Sequence, residues 1–180
     1  MHEKRYDAEI DRLRSPERLE RLEVQRVIDL CLEGVRIQSV LDVGTGSGIF
    51  AEAFAEKIPT VVGIDANPEM IKVSKELVPK ATFQQATAES MPFADGSFDL
   101  VFLGLVLHET DDPHKALSES KRCAKHSVVV LEWPHKQEEA GPPLEHRLKS
   151  EDISAMAKRA GFKAITITPL TKLVLYQFLV

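Results

Sequence analysis

The chain has 180 residues, which is long enough for one domain with a sizeable hydrophobic core. Hydrophobic residues make up 43% of it, and this fraction excludes an intrinsically disordered protein. The formal net charge of −5 provides no general attraction to nucleic acid, so we expect no nucleic-acid partner.

Cysteine content and hydropathy favour a cytoplasmic protein. The two cysteines, Cys31 and Cys123, form neither a disulfide framework nor a thiol metal site. No apolar stretch approaches the ~20 residues that cross a bilayer. The charged residues 1–5 are not followed by a signal-peptide core, so we expect no membrane insertion.

Residues 1–38 are expected to form an N-terminal segment and a leading helix that cover the functional site. Ser15 fits a helix N-cap and Pro16 the first helical position, and apolar residues then recur at helical spacing as far as Gly34. Ahead of this helix, Tyr6 is a candidate substrate-binding residue, although the mixed charges around it also fit a solvated flank.

A predicted strand over residues 39–43 leads into three alternating glycines, Gly44, Gly46 and Gly48. Glycine lacks a Cβ, so these residues allow a sharp turn and a close approach of the backbone to a ligand. The helix that follows from Ile49 directs free N–H groups and the positive end of its dipole at this loop. The pattern predicts a cradle for a nucleotide-like ligand.

The spacing of the glycines argues against a dinucleotide. The dinucleotide fingerprint is G-x-G-x-x-G, whereas this chain has G-x-G-x-G with Asp42 two residues before it. An acid at that position would repel a pyrophosphate and attract an α-amino group. Asp42 therefore favours a ligand with an amino-acid moiety over the NAD of an oxidoreductase.

A second buried strand over residues 60–65 ends in Asp65. A carboxylate at that tip can accept hydrogen bonds from both ribose hydroxyls, and it follows the glycine loop by about the ~20 residues expected of a ribose acid. The alternative is that Asp65 is the N-cap of the next helix, which has proline in its first turn.

The stretch from Ala86 to Phe102 contains a Pro-Phe pair and a Ser-Phe-Asp strand start. Together with the glycine loop and Asp65, it resembles the class I S-adenosylmethionine-dependent methyltransferases, whose first motif is (D/E)-x-G-x-G-x-G. The resemblance implies that Ala88 and Glu89 lie beside the adenine edge and that Met91 offers an apolar surface. The alternative for Glu89 is an ordinary polar loop.

The resemblance implies S-adenosylmethionine as the cofactor and residues 39–180 as the core that binds it. The end of the fourth strand, at Leu103, would line the site beside the methionyl part of the cofactor. The expected cofactor-binding residues are Asp42, Gly44, Thr45, Gly46, Gly48, Asp65, Ala66, Met70, Ala88, Glu89, Met91 and Leu103.

His108 follows the fourth predicted strand and is the candidate general base, because the unperturbed pKa of histidine lies near neutral pH. The alternative is a histidine that only packs or caps locally. The nearby His114 and acidic residues also suggest a metal site, but Asp111 and Asp112 before Pro113 fit a helix N-terminus, so we expect no metal.

Two residues after the fifth predicted strand are candidates for substrate binding. Trp133 can present a flat face to an acceptor or to a cation, or can simply pack beneath the following loop. The stiff Gly-Pro-Pro segment at residues 141–143 can form a lid over the pocket. Arg147 would then bind a carboxylate or phosphate of the acceptor, or form a surface ion pair.

The alternation of strands and helices predicts an α/β fold with a doubly wound parallel sheet. The strands fall at residues 39–43, 60–65, 82–86, 98–103 and 127–132, each but the last clearly followed by a helical stretch, and residues 163–168 and 172–180 predict a terminal hairpin. The resemblance implies seven strands in a Rossmann-like sheet, with the last one antiparallel. Ligands of such sheets bind at the carboxyl ends of the strands.

The sequence thus predicts a methyltransferase that acts on a small-molecule acceptor. The resemblance is closest to the broad group that includes ubiquinone and menaquinone biosynthesis methyltransferases, and it does not transfer a substrate. A non-catalytic module that binds S-adenosylmethionine or a partner is the main alternative, since its motifs would look the same. Because little added structure encloses an acceptor, a homodimer is one way to complete the pocket.

Overall fold

The computed structural model describes residues 13–180, so Tyr6 lies outside the described residues. The strands are β1 (Ser39–Val43), β2 (Thr60–Asp65), β3 (Thr82–Gln85), β4 (Phe98–Gly104), β5 (Ala124–Glu132), β6 (Ala164–Pro169) and β7 (Val174–Leu179). The α-helices are α1 (Pro16–Leu22), α2 (Val24–Leu32), α3 (Ile49–Ala55), α4 (Pro68–Leu77), α5 (Pro113–Cys123) and α6 (Ser150–Arg159). Two short 3₁₀ helices span Leu107–Glu109 and Leu144–His146.

The strands form one sheet in the order β3-β2-β1-β4-β5-β7-β6. Strands β1 to β5 are parallel, and β7 lies between β5 and β6, antiparallel to both. This architecture confirms the predicted fold, including the terminal hairpin and the antiparallel last strand. The order reverses next to β1, so the carboxyl ends of β1 and β4 flank the point where open α/β sheets bind ligands.

Helices cover both faces of the sheet and bury its apolar side chains. Helices α1 to α4 contribute to the core on one face, and α5 and α6 to the core on the other. Within residues 13–180, no helix is both long and apolar enough to cross a membrane.

The predicted leading helix is in fact two helices, α1 and α2. The chain breaks at Glu23, whose φ of 46° lies in the left-handed region. Its carboxylate accepts hydrogen bonds from the Arg26 side chain and from the backbone N–H of Thr171. The contact with Thr171 spans 148 residues, so helical periodicity carries no sign of it.

The prediction of a helix after the third strand is wrong. Residues 86–97 form a turn that leads directly into β4. Arg122 of α5 holds this segment by donating to the carbonyl oxygens of Met91 and Phe93 and to the carboxylate of Asp95. A distant side chain therefore replaces the local hydrogen bonds that a helix would have provided.

Candidate active site

A cleft of about 370 Å³ opens at the carboxyl ends of the parallel strands. Its walls come from the turns after β1, β2, β3 and β4, and residues from the start of α1 close one side. The lining residues are Leu13, Arg18, Gly44, Gly46, Asp65, Ala66, Asn67, Pro68, Met70, Ala86, Thr87, Ala88, Glu89, Gly104, Leu105, Val106, Glu109, Thr110 and Asp111.

The glycine loop has the backbone conformation that its sequence requires. Gly44, Gly46 and Gly48 have φ angles of 68°, 54° and 81°, which side chains rarely allow. A Cβ at Gly44 would lie 2.4 Å from a methyl carbon of Val106. A Cβ at Gly46 would meet no atom within 4 Å, and this residue lines the cleft. Only Gly46 therefore keeps space open for a ligand.

Asp42 lies behind the loop and does not line the cleft. Its carboxylate is 2% exposed and accepts hydrogen bonds from the Thr45 hydroxyl at 2.7 Å and from the Ala51 N–H at 3.1 Å. Burial raises the pKa of Asp42 to about 7. In this structure Asp42 and Thr45 shape the loop and the first turn of α3, and direct contact of either with a ligand stays a prediction.

Asp65 connects the glycine loop to the start of α4 and lines the cleft between them. One carboxylate oxygen accepts from the Gly46 N–H at 2.9 Å, and the other accepts from the Asn67 N–H at 2.8 Å. The alternative that Asp65 caps the helix is wrong, because Asn67 is the N-cap and accepts from the Glu69 N–H.

The turn after β3 brings Ala88 and Glu89 to the cleft, opposite the turn after β4. Glu89 accepts hydrogen bonds from the N–H groups of Asp111 at 2.9 Å and of Asp112 at 3.4 Å. The carboxylate thus holds the segment before α5 in place while it remains part of the cleft wall. Ala66 and Met70 also line the cleft.

Two expected cofactor residues, Met91 and Leu103, lie in the core instead of the cleft. Met91 is 5% exposed, and its N–H donates to Glu119 on α5. Leu103 is fully buried because alternate side chains of β4 pack into the faces of the sheet. At the end of β4 the cleft is lined by Gly104, Leu105 and Val106, and contact of Leu103 with a cofactor stays a prediction.

His108 is buried at the ends of β4 and β5 and does not line the cleft. Its ring Nδ1 lies 2.8 and 2.9 Å from the two carboxylate oxygens of Glu132, which also accepts from the N–H groups of His108 and Trp133. Its Nε2 lies 3.8 Å from a carboxylate oxygen of Glu109. Burial lowers the pKa of His108, but the charge of Glu132 and the hydrogen bond to it outweigh burial, so the pKa is raised.

Among the acidic residues that follow His108, Asp112 serves the start of α5. The side chain of Asp112 is the N-cap and accepts from the Lys115 N–H at 3.0 Å. In the part of the chain that the structure describes, no group of three His, Cys, Asp or Glu side chains is arranged to hold a metal ion.

Arg147 lies in neither of its two predicted settings. It is 5% exposed, and its guanidinium donates to the carbonyl oxygens of four residues in the preceding loop. These are Pro134, Lys136, Ala140 and Pro142, at 3.3, 2.7, 2.8 and 2.9 Å. Arg147 therefore holds the loop of residues 134–146 together from inside, and we call this segment the Arg147 loop.

Trp133 packs beneath the Arg147 loop, which was the alternative to substrate binding. It is 6% exposed, and the Arg147 guanidinium lies 5.4 Å from its ring centre. A Cβ at Gly141 would approach the ring within 2.7 Å, so only glycine fits above it. Neither Trp133 nor Arg147 lines the cleft.

Residues 13–18 form part of the cleft wall. The sequence predicted that residues 1–38 cover the site, but it did not identify Leu13 or Arg18 as lining residues. Leu13 and Arg18 line the cleft, and Arg14 donates to the Ser47 carbonyl of the glycine loop and pairs with Glu52 of α3. A segment of mixed charge ahead of the first strand was the one available signal. It does not indicate which charges face the site.

The chain shares sequence with known methyltransferases. A family model described as a methyltransferase domain matches residues 41–131, half of the chain. An uncharacterized methyltransferase, YcgJ, of Bacillus subtilis is 40% identical over 101 residues, which cover 53% of this chain and 40% of that protein. A demethylmenaquinone methyltransferase of Renibacterium salmoninarum is 39% identical over 100 residues, covering 54% and 42%. The chain thus spans about two fifths of the length of the curated relatives it matches.

Solved structures share the fold. A SAM dependent methyltransferase from Aquifex aeolicus superposes with a TM-score of 0.79 at 24% identity, covering 94% of this chain and 95% of that one. The magnesium protoporphyrin IX methyltransferase of Synechocystis, solved with bound SAH, gives a TM-score of 0.70 at 15% identity, covering 90% and 84%.

Proposed function

Because this chain belongs to the class I S-adenosylmethionine-dependent methyltransferases, we propose that it transfers a methyl group to a small-molecule acceptor. The observation that carries the proposal is the meeting of Gly46, Asp65 and Glu89, from three separate turns, around one cleft. S-adenosylmethionine supplies a methyl group on a sulfonium sulfur, and that sulfur keeps the electron pair of the broken bond.

The cleft fits this methyl donor in size and in chemistry. Its volume of about 370 Å³ lies within the range of small-molecule sites. Asp65 would hold the ribose hydroxyls, because its carboxylate lines the cleft between the glycine loop and the start of α4. Ala88 and Glu89 would lie against the adenine, and the exposed backbone at Gly46 leaves room for the methionyl part.

Arg18 would hold the carboxylate of the donor. Among the described residues that line the cleft it is the single cation, whereas Asp65, Glu89, Glu109 and Asp111 are acidic. A guanidinium binds a carboxylate through two parallel hydrogen bonds. The acidic wall suits the ammonium and sulfonium groups, and Arg18 suits the carboxylate.

The acceptor would enter on the side of Leu105, Val106 and Glu109, beyond the donor. In the proposed reaction the protein acts mainly by holding donor and acceptor in line, which lowers the entropic cost of the transfer. The demethylmenaquinone methyltransferases among the relatives suggest a quinol as the first acceptor to try. Which atom is methylated is left to the experiment.

Calorimetric titration with S-adenosylmethionine, S-adenosylhomocysteine and NAD tests the first half of the proposal. We expect micromolar binding of the two sulfur compounds and none of NAD. Methyl-labelled donor is then offered with 1,4-naphthoquinol, catechol, a thiol and a primary amine. Binding without transfer to any acceptor would favour a non-catalytic module, and NAD binding alone would reverse the cofactor assignment.

The remaining expectations belong to the same proposal. We propose that residues 1–38 cover the site formed by residues 39–180, that the protein acts in the cytoplasm, and that nucleic acid is not its partner. Light scattering tests whether a second copy completes the pocket. A dimer that dissociates with loss of transfer would support that role.

A further inference from the structure

We propose that Glu109, His108 and Glu132 form a proton path out of the cleft, in which Glu132 is a positioning residue and Glu109 passes the acceptor's proton to the His108 ring. The inference rests on the proposed methyl transfer and adds two residues to it. It changes the simple assignment of His108 as a base that touches the acceptor.

The His108 ring lies behind Glu109 relative to the cleft. His108 is 8% exposed and is absent from the cleft wall, whereas Glu109 lines it. The carboxylate of Glu109 lies 3.8 Å from His108 Nε2. A proton that leaves an acceptor in the cleft therefore meets Glu109 before it meets the imidazole.

The orientation of the His108 ring is fixed by Glu132. Glu132 is 1% exposed and accepts from Nδ1 of His108 and from two backbone N–H groups. Because a carboxylate only accepts, the hydrogen of the neutral ring lies on Nδ1, and Nε2 is left as the acceptor. Nε2 is the nitrogen that faces Glu109.

The charges around the ring determine how well it holds a proton. Glu132 and Glu109 face it with negative charge, and Arg147 contributes positive charge from the loop above. Arg147 is bonded to carbonyl oxygens and not to Glu132, so the carboxylate of Glu132 remains directed at His108. The neighbouring Tyr176 hydroxyl is bonded to Ser150.

The proton balance of the path is complete without another reactant. As the acceptor atom bonds the methyl carbon, the proton it carried moves to the carboxylate of Glu109. A change in the side-chain rotamer of Glu109, or one bridging water, closes the 3.8 Å gap to Nε2. Glu109 then gives a proton to Nε2, and neutral His108 becomes an imidazolium stabilised by Glu132. After the product leaves, the imidazolium returns this proton to Glu109, whose side chain is 23% exposed, and Glu109 releases it to water.

The test compares Glu109→Gln, Glu132→Gln and the exposed control Glu145→Gln in methyl transfer to 1,4-naphthoquinol between pH 5.5 and 9. We expect Glu109→Gln to lower kcat at saturating S-adenosylmethionine at least tenfold, in addition to any change in its Kd for the donor. Glu132→Gln removes a negative charge from His108, so the acid limb of its kcat profile moves to lower pH. Glu145→Gln changes neither.

Nitrogen-15 spectra of the histidine ring add a readout that does not depend on turnover. We expect the Nδ1–H form in the wild-type protein, and a His108 that loses its proton at lower pH in Glu132→Gln. An Nε2–H form would overturn the positioning role of Glu132. Wild-type transfer that Glu109→Gln does not slow would overturn the path alone, whereas a wild-type protein that transfers no methyl group to any acceptor would overturn the proposed function and the path with it.

Discussion

At the scale of single residues, Asp65 and Asp42 are both carboxylates at strand ends, yet their surroundings give them different roles. Asp65 lines the cleft, whereas Asp42 is enclosed behind the glycine loop. The sequence predicted that both contact the ligand, because both are carboxylates at the end of a predicted strand. Burial, which the motif does not encode, separates them.

Replacing Asp65 by alanine is expected to weaken S-adenosylmethionine binding at least tenfold, since it removes the proposed ribose acceptors and frees the Gly46 and Asn67 N–H groups. The control is Asp112→Ala, which removes a helix N-cap of similar chemistry outside this contact. Calorimetry measures both. Equal affinities in the two variants would contradict the ribose assignment.

The enclosed carboxyl of Asp42 predicts a pH dependence of stability. Its pKa rises from 3.8 to about 7 on folding because of burial, so the folded state binds the extra proton between these values. The stability that this group contributes is therefore fully present below about pH 4 and is lost as the pH rises to 7. At one pKa unit per 1.36 kcal/mol, the loss is roughly 4 kcal/mol at most.

Urea unfolding of the wild-type protein and of Asp42→Asn at pH 4.5, 6 and 7.5 measures this effect. Asparagine keeps an acceptor for Thr45 and Ala51 but does not titrate. The free energy of unfolding of the wild type should fall relative to the variant as the pH rises. Parallel curves would show that Asp42 does not bind the proton.

At the scale of elements, Gly46 of the glycine loop and Gly34, which follows α2, form a matched pair for substitution. Gly46 and Gly34 have φ angles of 54° and 73°, and a Cβ at either meets no atom within 4 Å. Alanine should cost roughly 1–2 kcal/mol of stability at both positions, because both backbones are left-handed. Only Gly46 lines the cleft, so Gly46→Ala alone should lose affinity for S-adenosylmethionine, as measured by calorimetry.

The Arg147 loop supplies a second prediction at this scale. Arg147→Lys keeps the charge but loses the planar fork that reaches four carbonyl oxygens, so we expect the free energy of unfolding to fall by about 2 kcal/mol. Trp133 is the one tryptophan of the chain. Its emission should shift to the red as the loop opens, and the exposed control Arg159→Lys should leave it unchanged. An unshifted spectrum would show that the loop holds without Arg147.

Strands were the elements that the sequence predicted best. Four of the five parallel strands are largely buried and show as apolar runs, whereas β3 is mostly exposed, and β1 and β2 fall where they were expected. The break at Glu23 and the Arg147 loop could not be predicted. Both depend on side chains that bind distant or irregular backbone groups, and such contacts leave no periodic pattern.

At the scale of the whole molecule, the position of the candidate site followed from topology. Parallel strands place their carboxyl ends at one edge, so the turns that carry Gly46, Asp65 and Glu89 had to meet there. The sequence predicted a cover from residues 1–38, but the residues that line the cleft did not follow, because the sheet does not fix how a preceding helix lies across it. Arg18 and Leu13 were found from the structure alone.

That arrangement predicts how the N-terminal part recognises the donor. If Arg18 holds the carboxylate of the donor, Arg18→Gln should weaken the binding of S-adenosylmethionine about tenfold. The binding of decarboxylated S-adenosylmethionine should be unaffected. Arg21→Gln, on the same helix but outside the cleft lining, is the control. Calorimetry with both ligands gives the comparison. An equal loss of affinity for both ligands would mean that Arg18 supports the fold of the N-terminal segment and does not bind the carboxylate of the donor.

The insertion of β7 between β5 and β6 also bears on how the chain assembles. Strand β6 joins the sheet only through β7, so the apolar edge of β5, at Val128–Leu131, has no neighbour on that side until residues 174–179 arrive. Such an unpaired edge is a template for association with other chains. During synthesis the protein is therefore most prone to aggregate in the interval between the emergence of β5 and that of β7.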